Sequence, residues 1–329
     1  MKKIAALANV SQGTVSLVLN GKAQGQISKA IQEKIIALAK EHHYRKNISA
    51  LNLRKQENNV IGIIMPGSIN SFYASIVTLL QKELMNLGFT GLFTFCKGIH
   101  PIDAYQYLYE RNVSGIIAWG IDNKPLDTFL PVVYFLEKNS FNKNLNNGKG
   151  LNFSTFCFDF SYSTQELVEY LYNLGHKRIA FLGTQSDPRY NLLVKAFKEK
   201  GICDILRLNH IDNIDGVGES LEKIFSLNIL PSVVVTTSDE TAQQFIMLGL
   251  SKGFKIPQDI SVVGFMNASY SQNLTPPLTT IDCHKEFLIK EMVNMIVKKV
   301  SAKDNSLEEK SISTTLVIRQ SCAEAKKYT

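Results

Sequence analysis

The sequence predicts an α/β protein in two unequal parts: a small N-terminal headpiece of three helices, and a larger core of two lobes, each a doubly wound parallel sheet. Three observations carry this. The chain opens with short helical segments that pack through small residues, with a helix-turn-helix over Val10-Ser11-Gln12-Gly13-Thr14-Val15-Ser16-Leu17-Val18-Leu19-Asn20. From Val60 the apolar pattern changes to strands alternating with helices, and the alternation restarts after a polar stretch at 138–150. Finally, the formal charge of +7 sits wholly in the first fifth of the chain. Residues 1–59 hold ten Lys or Arg against three acids, and the remainder holds 26 of each.

In chain order, a short helix at 4–8 comes first, Asn9 offers a turn, and Ser11 stands where a second helix needs its N-cap. On that helix Thr14, Val15, Leu17, Val18 and Leu19 surround a small face, with Ala5, Leu7, Ala8 and Val10 as the complement. It carries few charges and ends in Asn20-Gly21, which suits a helix lying in a DNA major groove with short polar side chains reaching base edges. An ordinary αα-hairpin is the competing reading. The concentrated positive charge is the footprint of a nucleic-acid-binding module on a neutral body, and favours the first. After a loop at 21–26, Ser28 caps a third helix at 29–42, with Ile31, Ile35, Leu38 and Ala39 at helical spacing. Three such helices close a core too small to be very stable alone. The segment 48–54 reads either as a linker or as a hinge helix that orders only on DNA.

In the core, strands are expected at 60–65, 90–95, 115–119 and 132–135, with helices at 72–87 and 103–111. Beyond 138–150, strands are expected at 153–158, 179–182, 205–208, 232–236, 260–265 and 314–318, and helices at 163–174, 192–200, 217–227, 241–249 and 287–300. Two successive α/β halves place a ligand cleft between them, beyond the carboxyl ends of the strands.

Composition narrows the function classes. A chain of 329 residues with 45% hydrophobic and 20% charged residues is that of a soluble globular protein of two or three domains. No apolar run approaches the roughly 18 residues of a membrane span, and no charged and apolar leader opens the chain, so a cytoplasmic location without membrane contact is expected. Cys96, Cys157, Cys203, Cys283 and Cys322 are scattered without CxxC spacing and read as reduced thiols. The six histidines lack HxxxH or HExxH spacing, so no metal or other cofactor is expected. An enzyme is not expected either. There is no GxGxxG after Val60, no GxSxG and no pair of acids at successive strand ends, and Gly216-Val217-Gly218 lacks the third glycine and a preceding strand end.

From residue 1 to about Ser321 the chain resembles the lactose-repressor/galactose-repressor (LacI/GalR) family of bacterial transcription regulators. The resemblance rests on a series of strings in order: the segment from Ile4-Ala5 to Leu19-Asn20, the segment from Tyr44-Arg45-Lys46-Asn47 to Leu53-Arg54, Ile61-Gly62-Ile63-Ile64-Met65-Pro66 with Asn70-Ser71-Phe72-Tyr73, Leu174-Gly175-His176-Lys177-Arg178-Ile179, Pro257-Gln258-Asp259-Ile260-Ser261-Val262-Val263-Gly264-Phe265, Leu274-Thr275-Pro276-Pro277-Leu278-Thr279-Thr280-Ile281, and Ile318-Arg319-Gln320-Ser321. It implies a helix-turn-helix headpiece at 1–46, a hinge and linker at 47–59, and a periplasmic-binding-protein-like core at 60–329. Within the core it implies a first lobe of about 60–159 and 283–319 and a second of about 160–282 and 320–329. It implies a homodimer bound to double-stranded operator DNA, most simply as a repressor of a carbohydrate or other catabolic operon, with a small-molecule effector between the lobes. A periplasmic-type solute-binding protein without DNA binding is the alternative, against which the basic first 59 residues and the absent leader argue.

Carried over position by position, the resemblance implies DNA contacts from Ser11, Thr14 and Ser16, with Gln12 and Gly13 at the lead reading positions. Asn20, Ser28, Tyr44 and Asn47 match backbone contacts that set register. In the hinge, Ala50, Leu53 and Arg54 are implied, with Leu53 as a wedge between minor-groove base steps or, alternatively, a contact to its own core. Leu17 stands where the family usually has an arginine aimed at guanine, so the preferred half-site should differ there. The chain also begins about one helical turn later than most relatives, and Lys3 replaces an aspartate at the helix start. Either the headpiece is marginal in isolation or the true start lies upstream of Met1.

The cleft departs further. Leu193 takes the place of the family's sugar-binding arginine, Ser238-Asp239 that of an Asn-Asp pair, and Met266-Asn267 that of an Asp-Asp pair. Unpaired buried polar groups are costly, so a simple hexose held in the usual way is not expected. Ser71, Phe72, Tyr73 and Trp119 are candidate effector contacts, and Arg189 with Tyr190 a replacement cation and ring. The other reading is that these are core residues and the cleft has lost small-molecule control.

Overall fold

A computed structural model describes residues 1–44, 58–67, 70–96, 98, 100–119, 129–136, 153–183, 187–209, 214–302, 304 and 306–326. The chain divides into two compact units, Met1–Asn58 and Asn59–Thr329.

In the smaller unit, α1 (Lys2–Ala8), α2 (Gln12–Leu19) and α3 (Lys29–Glu41) enclose Ile4, Ala5, Ala8, Val15, Val18, Ala23 and Ile35. Asn9 closes α1 in the left-handed region (φ 57°), where an asparagine is tolerated, and turns the chain into α2. α1 has no side-chain capping bond at Met1. Two expectations are corrected. Leu7 faces outward (46% exposed), and Ile4 takes its place in the core, because α1 begins two residues earlier than its apolar pattern suggests. Ser28 precedes α3 but makes no capping bond; Gln32 instead donates to the carbonyls of Ile27 (2.7 Å) and Ala23 (3.4 Å).

In the larger unit, one sheet runs β2 (Thr90–Phe95), β1 (Val60–Met65), β3 (Gly115–Trp119), β4 (Val132–Phe135), β5 (Phe153–Asp159) and β11 (Glu309–Ser313). The other runs β7 (Ile205–Asn209), β6 (Ile179–Gly183), β8 (Val233–Thr236), β9 (Ser261–Phe265), β10 (Thr279–Asp282) and β12 (Thr315–Val317). Every pairing is parallel except that of β12 with β10. Both faces are covered by helices, so the central strands are almost wholly apolar. In β6, Ile179 and Phe181 pack under helices Ser161–Asn173 and Pro188–Glu199, while Ala180 and Leu182 meet Ile214–Phe225 and Asp239–Ser251. In β1, Ile61, Ile63 and Met65 face helices Ser71–Asn86 and Lys285–Ala302, and Ile64 faces Pro101–Tyr109.

The chain crosses between lobes after β5, after β10 and between β11 and β12. The third crossing lies at Thr314, not near residue 319, because Thr315–Val317 pairs with β10. Thr314 Oγ1 donates to the Asp159 carbonyl (2.9 Å) and lies 2.6 Å from Ser163 Oγ, which ties two crossings together. No helix among the described residues is long and apolar enough to cross a membrane.

Candidate functional site

In each sheet the strand order reverses beside the strand that starts it, at β1 and β6, and loops beyond those carboxyl ends diverge to leave a crevice. A cavity of about 450 Å³ lies there, between the lobes. Phe72 and Tyr73 reach it from the first turn of the Ser71–Asn86 helix that follows β1, Trp119 from the end of β3, Phe135 and Leu136 from the end of β4, and Phe158 and Phe160 from the end of β5. The second lobe supplies Asp187, Pro188, Arg189 and Leu192 after β6, Thr237, Ser238, Glu240, Thr241 and Gln244 after β8, and Met266 after β9.

The rings form a connected belt. Trp119 stacks on Phe135 (centroids 4.0 Å, 12°), Phe135 meets Phe158 edge-on at 4.8 Å, and Phe158 meets Phe160 at 5.8 Å. Phe72 stands edge-on to Trp119 at 6.2 Å and to Tyr73 at 5.6 Å. Such faces suit planar or C–H-rich surfaces of a ligand.

Four helices begin at this cavity, and each has a leading N–H already answered. Asn70 Oδ1 accepts from Tyr73 N (3.0 Å), Asp159 Oδ1 from Ser161 N (2.9 Å), Asp187 Oδ1 from Arg189 N (2.9 Å) and Ser238 Oγ from Thr241 N (3.1 Å). One leading N–H at each helix start is therefore met from within the protein.

The structure brings Phe72, Tyr73, Trp119, Arg189, Ser238 and Met266 together at the cavity, as the sequence suggests. It does not bring Ser71, Leu193 or Asp239. Ser71 Oγ lies 3.5 Å from the Tyr270 hydroxyl of the other lobe. Leu193 is 1% exposed, packed under the second sheet, so the family's arginine position is a core position here. Tyr190 is turned away too, against Phe181 (5.4 Å) and under the Arg207 guanidinium (4.3 Å).

Asp239 is 1% exposed. Its carboxylate accepts from Ala268 N (2.6 Å), Ser271 Oγ (2.6 Å) and Thr280 Oγ1 (2.5 Å), fixing the loop after β9 to the Ser271–Asn273 turn and β10. Burial pushes its pKa up to about 6 against the lowering effect of those donors and of Arg319. It is a structural acid, one residue from the cavity wall.

Arg189 is not a free cation. Its Nε and one terminal nitrogen grip both oxygens of Asp187 (2.8 and 2.5 Å), and the other terminal nitrogen donates to the Thr237 carbonyl (2.6 Å). Its carbon lies 5.1 Å from the Phe265 ring centroid and 5.7 Å from that of Phe160. The pair is neutral and preorganised as wall. The residues missed by sequence reading, among them Phe135, Phe158, Phe160, Asp187 and Glu240, share one available signal: each stands at or just beyond the carboxyl end of an expected strand.

In the headpiece, Val15 and Val18 pin one side of α2 in the core, while Gln12 and Gly13 are exposed and Ser16 and Leu17 half-exposed. Ser11 caps α2, accepting from Thr14 N at 3.0 Å with its hydroxyl 2.9 Å from Thr14 Oγ1. Asn20 Nδ2 donates to Ser16 Oγ at 3.2 Å. Replacing Ser11 by Ala is expected to cost about 1 kcal/mol of headpiece stability, read as the urea midpoint of the headpiece transition. Ser11→Gly should cost only a few tenths, and equal losses would show that the cap is not the cause. Ser28 is exposed, Tyr44 packs at the edge of the headpiece core, and Asn47, Ala50, Leu53 and Arg54 lie outside the described residues.

Comparison with known proteins matches residues 1–47 to the family described as bacterial regulatory proteins, lacI family, and residues 168–322 to a periplasmic binding protein-like domain. The chain is 27% identical over 336 residues to the NTD biosynthesis operon regulator NtdR of Bacillus subtilis (strain 168), covering 97% of this chain and 98% of that protein. It is 28% identical over 340 residues to the HTH-type transcriptional repressor PurR of Histophilus somni (strain 129Pt), covering 98% of each. Among solved structures, a Lac repressor dimer bound to operator and the anti-inducer ONPF matches with a TM-score of 0.75 at 22% identity, over 97% of this chain and 98% of that one.

Proposed function

The chain belongs to the lacI family of bacterial regulatory proteins, and on that premise we propose how it works. It is a DNA-binding transcriptional regulator under small-molecule control, not an enzyme. The headpiece (1–46) reads operator DNA, the segment 47–59 serves as hinge, and the core (60–329) binds an effector and a second copy of the chain. It acts as a repressor, in the cytoplasm, on a catabolic or related operon. Paired headpieces meet a pseudo-palindromic operator because a two-fold dimer presents its reading helices one DNA turn apart.

The observation that carries this reading is α2 itself. Its inner side chains are buried, its cap is made by Ser11, and its outward row runs Gln12, Gly13, Ser16, Leu17, in the stretch where the chain's positive charge is concentrated. Gln12, Gly13 and Leu17 are the base-reading positions. Ser11, Thr14 and Ser16 touch phosphate or base edges, Asn20, Ser28, Tyr44 and Asn47 set register on the backbone, and Ala50, Leu53 and Arg54 act in the minor groove, Leu53 as wedge.

Selection of sites from random double-stranded DNA tests this. Binding should lose affinity steeply with salt, as counterion release requires; failure to enrich any sequence would restore the solute-binding alternative. Leu17 can offer a thymine methyl an apolar contact but cannot bridge guanine O6 and N7. Leu17→Arg should therefore move one base pair per half-site to G·C, with discrimination of roughly 1–3 kcal/mol. An unchanged selected site would remove Leu17 from the reading positions.

For the effector, Phe72, Tyr73, Trp119, Ser238 and Met266 are proposed contacts, with the Asp187–Arg189 pair as fixed wall. Ser71, Leu193 and Asp239 are not proposed, since they are turned to other partners.

A further inference from the structure

Resting on the reading of the cleft as the effector site, we infer that the effector is an organic cation: a hydroxylated ring carrying a protonated amine, held by Glu240 against the aromatic belt.

The charges that line the cavity decide its sign preference. Asp187 and Arg189 cancel each other through two hydrogen bonds. Each of the four helix starts at the cavity already gives one leading N–H to a side chain, and two of those side chains are carboxylates. Glu240 is left over. It lines the cavity, is half-buried, and makes no salt bridge or hydrogen bond among the described residues. Its field reaches the nearby Tyr270 hydroxyl, whose pKa is held above the usual phenol range chiefly by burial, with the negative charges of Asp239 and Glu240 adding to it.

The rest of the lining agrees. A cation gains from the negative faces of aromatic rings as well as from a carboxylate, and Trp119, Phe72 and Tyr73 stand on the first-lobe side of the same cavity. Asn70, Ser161 and Gln244 offer amide and hydroxyl partners for ligand hydroxyls. About 450 Å³ is room for a molecule of one or two rings. An anionic ligand, such as a phosphorylated sugar, would face Glu240 with no free described cation in the lining. A wholly neutral sugar would leave Glu240 half-buried and unpaired on closure, at a cost.

Trp119 is the chain's single tryptophan and lines the cavity, so its fluorescence reports directly on the cleft. The full-length protein would be titrated with glucosamine, glucose, N-acetylglucosamine and glucose 6-phosphate, and with the phenethylamine and phenethyl alcohol pair, with calorimetry in parallel. Each amine should bind about tenfold or more tighter than its neutral counterpart, the weight of a charge-assisted hydrogen bond in a partly buried site. Glu240→Gln should erase that preference by weakening the amines about tenfold, with the neutral partners binding as well as or better than they bind the wild type. Glucose 6-phosphate should bind weakest in the wild type and gain in the variant. Equal or tighter binding of the neutral or phosphorylated members, insensitive to Glu240→Gln, would overturn the cation assignment and leave the cleft reading standing. Heat of binding without any change at Trp119 would overturn the cleft reading itself, and silence of the whole panel in both measurements would count against the amine class.

Discussion

Gly264→Ala is expected to destabilise the larger unit by about 3 kcal/mol or more, while Gly218→Ala stabilises it by about 0.5–1 kcal/mol. Gly264 lies in β9, where a Cβ would press into the Asp239 carboxylate and come within 2.8 Å of Leu278 Cδ2. Neither neighbour can yield cheaply. Leu278 is fully buried, and Asp239 is held by Ala268 N, Ser271 Oγ and Thr280 Oγ1. Moving the carboxylate leaves a buried charge with broken hydrogen bonds, which adds to the overpacking. Gly218 lies inside the Ile214–Phe225 helix with nothing within 4 Å of the added carbon, so only the helix preference of alanine is felt there. Urea unfolding of both variants checks the pair. A Gly264→Ala protein as stable as wild type would show that the Asp239 site is not rigid.

The same acid explains what the sequence could and could not tell. The two-part architecture was legible because apolar runs such as Val60–Met65 and Ile179–Gly183 are central parallel strands, buried on both sides, and need no alternation to be seen. β10 and β11 were missed because their chemistry hides them. Thr279 and Thr280 are fully buried yet polar, and Thr280 is there to donate to Asp239. β11, Glu309–Ser313, is an edge strand with Ile312 as its one buried side chain, so it shows little strand pattern. In the cleft, the aromatic wall could be read in part from Phe72, Tyr73 and Trp119. The role of Arg189 could not be read, because a sequence shows a cation two residues from an acid but not that both of its ends are engaged by that acid and the Thr237 carbonyl. The family's positions misled at Leu193 for a related reason. With Ala196 and Phe197 it turns one face of its helix wholly into the core.

A second expected result concerns acid. His176 and Asp239, both buried in the second lobe, should drive stability in opposite directions over nearly the same pH window. His176 lies with Nδ1 2.9 Å from Ser232 Oγ, and its Nε2–H donates to the Ala323 carbonyl at 3.1 Å, tying the C-terminal segment to the residues that lead into β6 and β8. Burial holds its pKa down to about 4, from 6.5, despite that carbonyl. Between those values the unfolded chain binds a proton that the folded one refuses, so this contribution is lost as pH falls from about 6.5 to 4. Asp239 is the reverse case. Its folded pKa of about 6 lies above the ordinary 3.8, so the folded state takes up the proton first and gains stability as pH falls through about 6. Each effect is on the order of 3 kcal/mol, and in the wild type they offset each other. His176→Asn should therefore lose less stability than wild type between pH 7 and pH 4, and Asp239→Asn should lose more. Comparing urea midpoints of each variant with wild type at both pH values removes the background from other carboxylates, such as Asp259, which ion pairing holds low. The readout is the change in slope, not the loss at pH 7 that either substitution brings by disturbing its hydrogen bonds. Parallel curves for the two variants would show that neither group changes its proton affinity on folding.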